Sequence, residues 1–458
     1  MRRFPGTSRE AISARGAGAN PGERTQTVMA LLLLACALPA AADWTQFRGD
    51  AALTGVATDA LPAAPALAWT FEAGDEVQST PAIAGGTVYV GSKDGRLYAL
   101  DLATGKERFR YQAGGEIRSS PAVRGGVVYV GDEAGTFHAV DARTGARRWA
   151  FKAGGAVTSS PNFAVDGERT RALFGSYDNF LYAVDAKSGE LAWKLETESY
   201  VHATPAIAGG VVYVAGCDGF LRAVRASDGR EVGKLALGGY AAASPAIAAG
   251  RAFVGTFQNE VLAIDLDGLT IGWRFKDAAR EFPFYASPAV ASASVVVGGR
   301  DKRVRALDAK TGKERWSFAT PARIDASPVV AGDRVVAASL SGDLHVLTLA
   351  SGKQLWHYAA GAPLDAKTGK ERWSFATPAR IDASPVIAGD RVVAASLSGD
   401  LYVLALATGK QLWHYAAGAP LAASPSVGGG YLVVATTSGT VLALGPQPNQ
   451  RTSVRGSR

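Results

Sequence analysis

The chain is expected to be all-β: a ring of four-stranded sheets, a β-propeller. Three features of its 458 residues point there. A Ser/Thr-Pro step recurs about every 40 residues. A turn of the type Asp-x-x-Thr-Gly, closed by a Trp, recurs in the same phase. A lone strand near the start matches the strand missing at the end.

The step prolines are Pro81, Pro121, Pro161, Pro205, Pro245, Pro288, Pro328, Pro385 and Pro425, with spacings of 40, 40, 44, 40, 43, 40, 57 and 40. A period near 40 with several short strands per unit is that of propeller blades. In the unit opened by Pro121, a short first strand reaches Val123 and turns at Gly125-Gly126. The second strand is Val127-Val128-Tyr129-Val130, apolar enough to be covered on both faces. Asp132 to Gly135 makes a hairpin turn, Thr136 to Val140 is the third strand, and Arg147 to Phe151 is the fourth.

The turn before the fourth strand organises each unit. At Ala306 to Trp316 the Asp308 carboxylate can cap its own turn, and Gly312 supplies a left-handed position. The Trp that follows can fill the gap between packed sheets. This nominates Trp69, Trp149, Trp193, Trp273, Trp316, Trp356, Trp373 and Trp413 as docking residues. Closure is expected between 66–71, a fourth strand without a unit, and 441–444, the third strand of a unit that has no fourth.

One step breaks the period. Residues 307–363 and 364–420 differ at four positions only, Val330/Ile387, His345/Tyr402, Thr348/Ala405 and Ser351/Thr408. The repeated piece is a blade plus an extra turn and outer strand, so it is out of phase. Either nine blades close with a surplus hairpin near Leu364–Asp382, or eight close and one copy is extruded. The reading favoured here is eight blades plus an extra unit, nine blade-like units in all.

Around the ring the organisation is read as 1–28, an upstream extension; 29–42, an apolar leader of signal-peptide shape with cleavage after Ala42; 43–446, the propeller; and 447–458, a basic tail. Leu33-Leu34-Ala35-Cys36 offers a second reading, lipid attachment at Cys36. Both readings export the protein to the periplasm or beyond, the second tethering it to the outer membrane, and no stretch has the ~20 apolar residues of a membrane helix. The formal charge of +7 sits mostly in the two ends, leaving no basic stripe for nucleic acid. The protein is expected to be monomeric. With Cys36 in the leader, Cys217 cannot belong to a disulfide framework and is read as a small buried residue.

The unit Ala-x-Asp-x-x-Thr-Gly-x-x-x-Trp, and the run from Thr80 to Asp101, resemble the tryptophan-docking repeat of pyrroloquinoline-quinone (PQQ) type propellers. The opening Trp44-Thr45-Gln46-Phe47-Arg48-Gly49-Asp50 is similar to that of secreted members. The resemblance implies the propeller fold. It also implies one of two functions: a cofactor-free scaffold, like the propeller lipoprotein of the outer-membrane barrel-assembly machinery, or a dehydrogenase of alcohols or sugars using PQQ and Ca²⁺. The dehydrogenases carry adjacent cysteines and convergent Glu, Asn and Asp ligands. Here there is no adjacent cysteine pair, and Asp94, Asp141, Asp185, Asp218 and Asp308 fall in repeated turns. The expectation is therefore a scaffold that binds envelope proteins or peptides, with no catalytic, cofactor or metal residue assigned; a degenerate PQQ enzyme is the alternative.

Two units depart from the pattern. One has Arg225 for the turn Asp and Gly233 for the docking Trp. The next carries an inserted loop, in which Phe282, Phe284 and Tyr285 are candidates for partner binding. Of five His, His202 beside Tyr200 is the candidate for a channel site, and the others are read as strand packing.

Overall fold

The structure, a computed structural model, describes residues 43–62, 65–201, 203–241, 243–358, 364–365, 370–371 and 379–446. The readings of the leader, the tail, His202 and Trp373, and of the side chains of Trp356 and His357, lie outside the described residues.

Among the described residues nine sheets, each with four antiparallel strands and one of them extended by a fifth, parallel strand, are arranged as blades in a ring. Blade 1 is Ala82–Ala84, Thr87–Gly91, Arg96–Asp101 and Glu107–Gln112. Blades 2 to 8 begin at Ala122, Asn162, Ala206, Ala246, Ala289, Val329 and Val386. Blade 9 takes Ser426–Gly428, Tyr431–Ala435 and Thr440–Gly445 from the chain's end, and Ala66–Glu72 from its beginning. That closure is antiparallel, with Trp69 opposite Ala443 and Phe71 opposite Val441.

Burial follows position in the blade. The second strands are covered on both faces, and Thr87–Gly91 and Val127–Gly131 are buried throughout. The outer strands alternate; in Glu107–Gln112 every other residue is exposed. Between blades the seam is the same device repeated. The Trp69 indole N–H donates to the Leu102 carbonyl (2.8 Å), Trp193 to Ala226 (2.9 Å), Trp273 to Ala309 (3.1 Å) and Trp316 to Leu349 (2.8 Å). Each acceptor lies in the last turn of the next blade. The indole also covers that turn's glycine: a Cβ on Gly105 would lie 2.5 Å from Trp69, and one on Gly312 2.6 Å from Trp273. Those glycines have φ of +69° and +72°, so both space and backbone require glycine. Trp149 donates to Ala186 at 3.2 Å. Trp413 has no such turn ahead of it, because the chain is interrupted in blade 9. It is half-buried against the closing core, its ring parallel to Tyr415 at 5.7 Å.

At the inner ends a second seam forms from the Ser/Thr-Pro steps. The Thr80 amide donates to Ser120 Oγ (3.0 Å), Ser287 to Ser327 (3.1 Å), Ser327 to Ser384 (3.2 Å) and Ser384 to Ser424 (3.1 Å). The 57-residue step from Ser327 to Ser384 makes the same bond as its 40-residue neighbours. The nine blade-like units counted from the sequence therefore form the ring, the duplicated copy included. Extrusion would leave an apolar sheet unburied. Part of the surplus appears as a small hairpin, Leu364–Asp365 paired with Lys370–Glu371.

One feature lies outside the repeat. Residues 43–62 enter the middle of the ring and return. Trp44 exchanges two 2.8 Å backbone bonds with Ile83 of blade 1, and Thr45 accepts from the Val123 amide of blade 2 (2.8 Å). The segment then turns on itself, with Gly55 donating to the Arg48 carbonyl (3.0 Å). Val56–Ala57 pairs in parallel with Ile387–Ala388 of blade 8. Trp44 and Arg48 are buried in consequence.

Candidate functional site: an aromatic arc on one face

In each blade the turn between second and third strands and the connection to the next blade lie at the same ends of the strands. They define one face of the ring, the loop face. The two are tied together, as when the Phe257 amide donates to the Tyr240 carbonyl and Tyr177 to Ala156, both at 2.9 Å. On blades 3 to 6 this face carries exposed aromatics: Tyr177 (42%), Tyr200 (54%), Tyr240 (56%), Phe282 (50%) and Tyr285 (39%). Tyr177 stacks on Tyr200 at 5.0 Å, and Phe257 meets Tyr285 edge-on at 5.7 Å. The Arg300 guanidinium sits 4.5 Å from the Tyr285 ring centre and is held there by a two-pronged pair with Asp325 (2.8 and 3.0 Å). Single exposed aromatics are ordinary; an arc of them on one face makes that face the candidate site.

The three loop residues nominated from sequence do not share one environment. Phe282 and Tyr285 are exposed, whereas Phe284 is 3% exposed and packs in the core of blades 5 and 6, edge-on to Phe275. The signal was present. Phe284 stands four residues before Pro288, as Val77, Ile117, Val157 and Ile324 stand four before their own prolines, and all are buried. The repeat reserves that position for the core. Tyr177, Tyr200 and Tyr240 were missed because each is isolated in sequence and only the ring brings them onto one arc.

The turn aspartates are engaged locally. Asp141 Oδ1 accepts from the Arg143 and Thr144 amides (3.1 and 2.9 Å) and from the Thr144 hydroxyl (2.9 Å), while Oδ2 takes Arg148 (2.7 Å). Asp308 repeats this with Thr311 and Arg315. The Arg148 and Arg315 guanidinium groups, then the turn hydrogen bonds, hold both carboxyls well below the ordinary range. Burial pushes the Cys217 thiol up, which makes it a poor nucleophile. His138 is set in blade 2 between Asp132 and Tyr111, 2.9 Å from each.

Among the described residues no three acidic, His or Cys side chains converge as a metal site. Among the described residues no helix is long and apolar enough to cross a membrane.

Ring, seams and closure define a β-propeller of tryptophan-docked repeats. The family model described as "Outer membrane protein assembly factor BamB" matches at 56–178, 138–232, 218–365 and 362–452, so the chain belongs to that PQQ-repeat family. Among solved structures, it is similar to BamB from Moraxella catarrhalis, at 15% identity and TM-score 0.57, covering 85% of this chain and 99% of that one. It is also similar to quinohemoprotein alcohol dehydrogenase ADHIIG from Pseudomonas putida HK5 (14%, TM-score 0.58, 91% and 82%) and to the computationally designed Ika8 protein (15%, TM-score 0.54, 85% and 100%). At these identities the likeness concerns the fold. No curated protein matches the sequence.

Proposed function

We propose that this protein is an exported, non-catalytic scaffold of the cell envelope that binds other proteins through the loop face of blades 3 to 6. The aromatic arc of Tyr177, Tyr200, Tyr240, Phe282 and Tyr285 carries the reading. Family membership beside an outer-membrane assembly factor supports it. In this reading the leader at 29–42 directs export, by cleavage after Ala42 or by lipidation at Cys36.

The test places a photo-crosslinking residue at Phe282 or Tyr240 in the full-length chain, expressed in its own host. A discrete adduct with an envelope protein is expected. It should vanish when Tyr200 and Tyr285 are both changed to Ser, and should not form when the same crosslinker sits at Arg143 on the opposite face. Equal labelling from both faces, or reduction of a dye by the purified protein with alcohol or sugar after PQQ and Ca²⁺ are added, would overturn the reading.

A further inference from the structure

Among the described residues, the segment 43–62 pairs with innermost strands of blades 1, 2 and 8. Of the blades that pair with this segment, blade 8 has Val386–Ala388 buried throughout and blade 1 buries Ala82 and Ile83, while blade 2 leaves Arg124 exposed. Across the ring Ala246–Ala248 of blade 5 and Ala289–Ala291 of blade 6 are half-buried at every position, and in Ala206–Ala208 of blade 4 only the first residue is buried.

Those pairings show what the inner edge binds. Two residues after their step prolines, Ile83, Val123 and Ile387 donate amide hydrogens to the Trp44, Thr45 and Gly55 carbonyls (2.8, 2.8 and 3.1 Å). Blade 1 takes its segment antiparallel and blade 8 in parallel. The same phase falls on Ile207, Ile247 and Val290. Each is the middle pair of a two-residue-turn hairpin, opposite Val212, Ala252 and Val295. That register makes it the pair without cross-strand bonds, so its N–H and C=O point off the blade. Their amides find no protein acceptor among the described residues. Free strand edges are templates for a further strand. The walls there, Ala-Ile-Ala, Ala-Ile-Ala and Ala-Val-Ala after Thr-Pro or Ser-Pro, hold no charged residue.

We infer that the inner strand edge of blades 4 to 6 is a binding site for an extended, uncharged peptide segment of a partner protein. The segment pairs through its backbone with Ile207, Ile247 and Val290, as the chain's own opening segment pairs with blades 1, 2 and 8. Its side chains are small or β-branched, because the wall offers alanines and no ion-pair partner. This site is separate from the loop face and does not depend on the function proposed for it.

The experiment uses the full chain, with fluorescence anisotropy of a short labelled peptide of alternating Val and Thr. Saturable binding is expected. The double variant Ile247→Pro, Val290→Pro removes two free amides without touching the ladder to the second strand, and should weaken binding roughly tenfold or more. Ile247→Trp, which leaves the backbone intact and crowds the edge, should do the same and serves if the proline variant fails to fold. N-methylation of alternate peptide residues should abolish binding, and Phe282→Ser with Tyr285→Ser should leave it unchanged. Undiminished binding to the inner-edge variants or of the N-methylated peptide, loss on the loop-face change, or no saturable binding would overturn the proposal. A peptide of residues 43–57 binding where the Val/Thr peptide does not would overturn it too, identifying the occupant as another copy's opening segment.

Discussion

Trp69, Trp149, Trp193, Trp273 and Trp316 each sit over a turn glycine, and blade 4 has no Trp to do so. Gly233 stands at the docking position, and a Cβ there would lie 2.8 Å from Leu269 Cδ2. Leu269 occupies the turn-glycine position of blade 5, at φ +49°. Large and small have exchanged sides of the seam. Introducing Gly233→Trp alone drives an indole into Leu269, and such overpacking costs about 1–3 kcal/mol. Leu269→Gly alone forfeits part of a half-buried side chain, about 1–2 kcal/mol, but relieves roughly 1 kcal/mol of left-handed backbone. Together they restore the seam, with an indole over glycine and an N–H aimed at the Leu266 carbonyl, a bond of about 1 kcal/mol. The double variant should therefore be more stable than the sum of the singles by about 2–4 kcal/mol, the clash removed plus the bond regained. Urea unfolding followed by far-UV circular dichroism measures it; fluorescence would be confounded by the added Trp. Additivity within about 0.5 kcal/mol would refute the exchange.

Trp69→Ala should destabilise by about 3–5 kcal/mol, because it empties the closing seam, while Trp413→Ala, half-buried and without a turn to dock on, should cost clearly less in the same urea assay. Acid should weaken the turns in a defined direction. Asp101, Asp141, Asp185 and Asp308 have depressed folded pKa values, so their contribution is complete above about pH 4, where the unfolded carboxyls are ionised, and is lost as pH falls towards the folded values. Asp141→Asn with Asp308→Asn should flatten the fall in melting temperature below pH 4, and an unchanged slope would count against the turn assignment. Arg48 is fully buried, its pKa lowered to about 10 by desolvation, with one hydrogen bond to the Pro328 carbonyl (3.2 Å) and an unpartnered Nε. Because a charge so placed destabilises the fold at neutral pH, Arg48→Met should raise the urea midpoint or leave it unchanged, and a drop of more than about 1 kcal/mol would show the bond to Pro328 outweighs burial.

The fold was legible because the repeat is local: each blade writes its own proline and turn within forty residues, most add the indole, and the closing strands carry the same signature. Two things were not. Near-identity of 307–363 and 364–420 leaves sequence indifferent between nine blades and eight with one copy extruded; only the seam bond from Ser327 to Ser384 distinguishes them. The path of residues 43–62 has no repeat to betray it, since its partners Ile83, Val123, Pro328 and Ile387 are scattered over 300 residues. Of the candidate site, the loop near Phe282 was found from its insertion and the rest of the arc was not, because Tyr177, Tyr200 and Tyr240 look like ordinary loop residues until the ring aligns them.

The seam also explains how an out-of-phase duplication can be absorbed. A blade makes its bonds to the next through two fixed points, the hydroxyl after the connecting loop and the indole on the outer strand. Neither depends on how much chain lies between one blade's outer strand and the next blade's proline. The 57-residue step adds 17 residues over the common 40, and they enter this connection. A third strand already paired with its own outer strand offers no edge to a second copy, so Leu364–Asp365 and Lys370–Glu371 pair with each other instead. Inserting the same residues between second and third strands would displace a strand buried on both faces. Tolerance to insertion is thus set by which edges are already satisfied, which is the same condition that leaves the inner edges of blades 4 to 6 available for a partner.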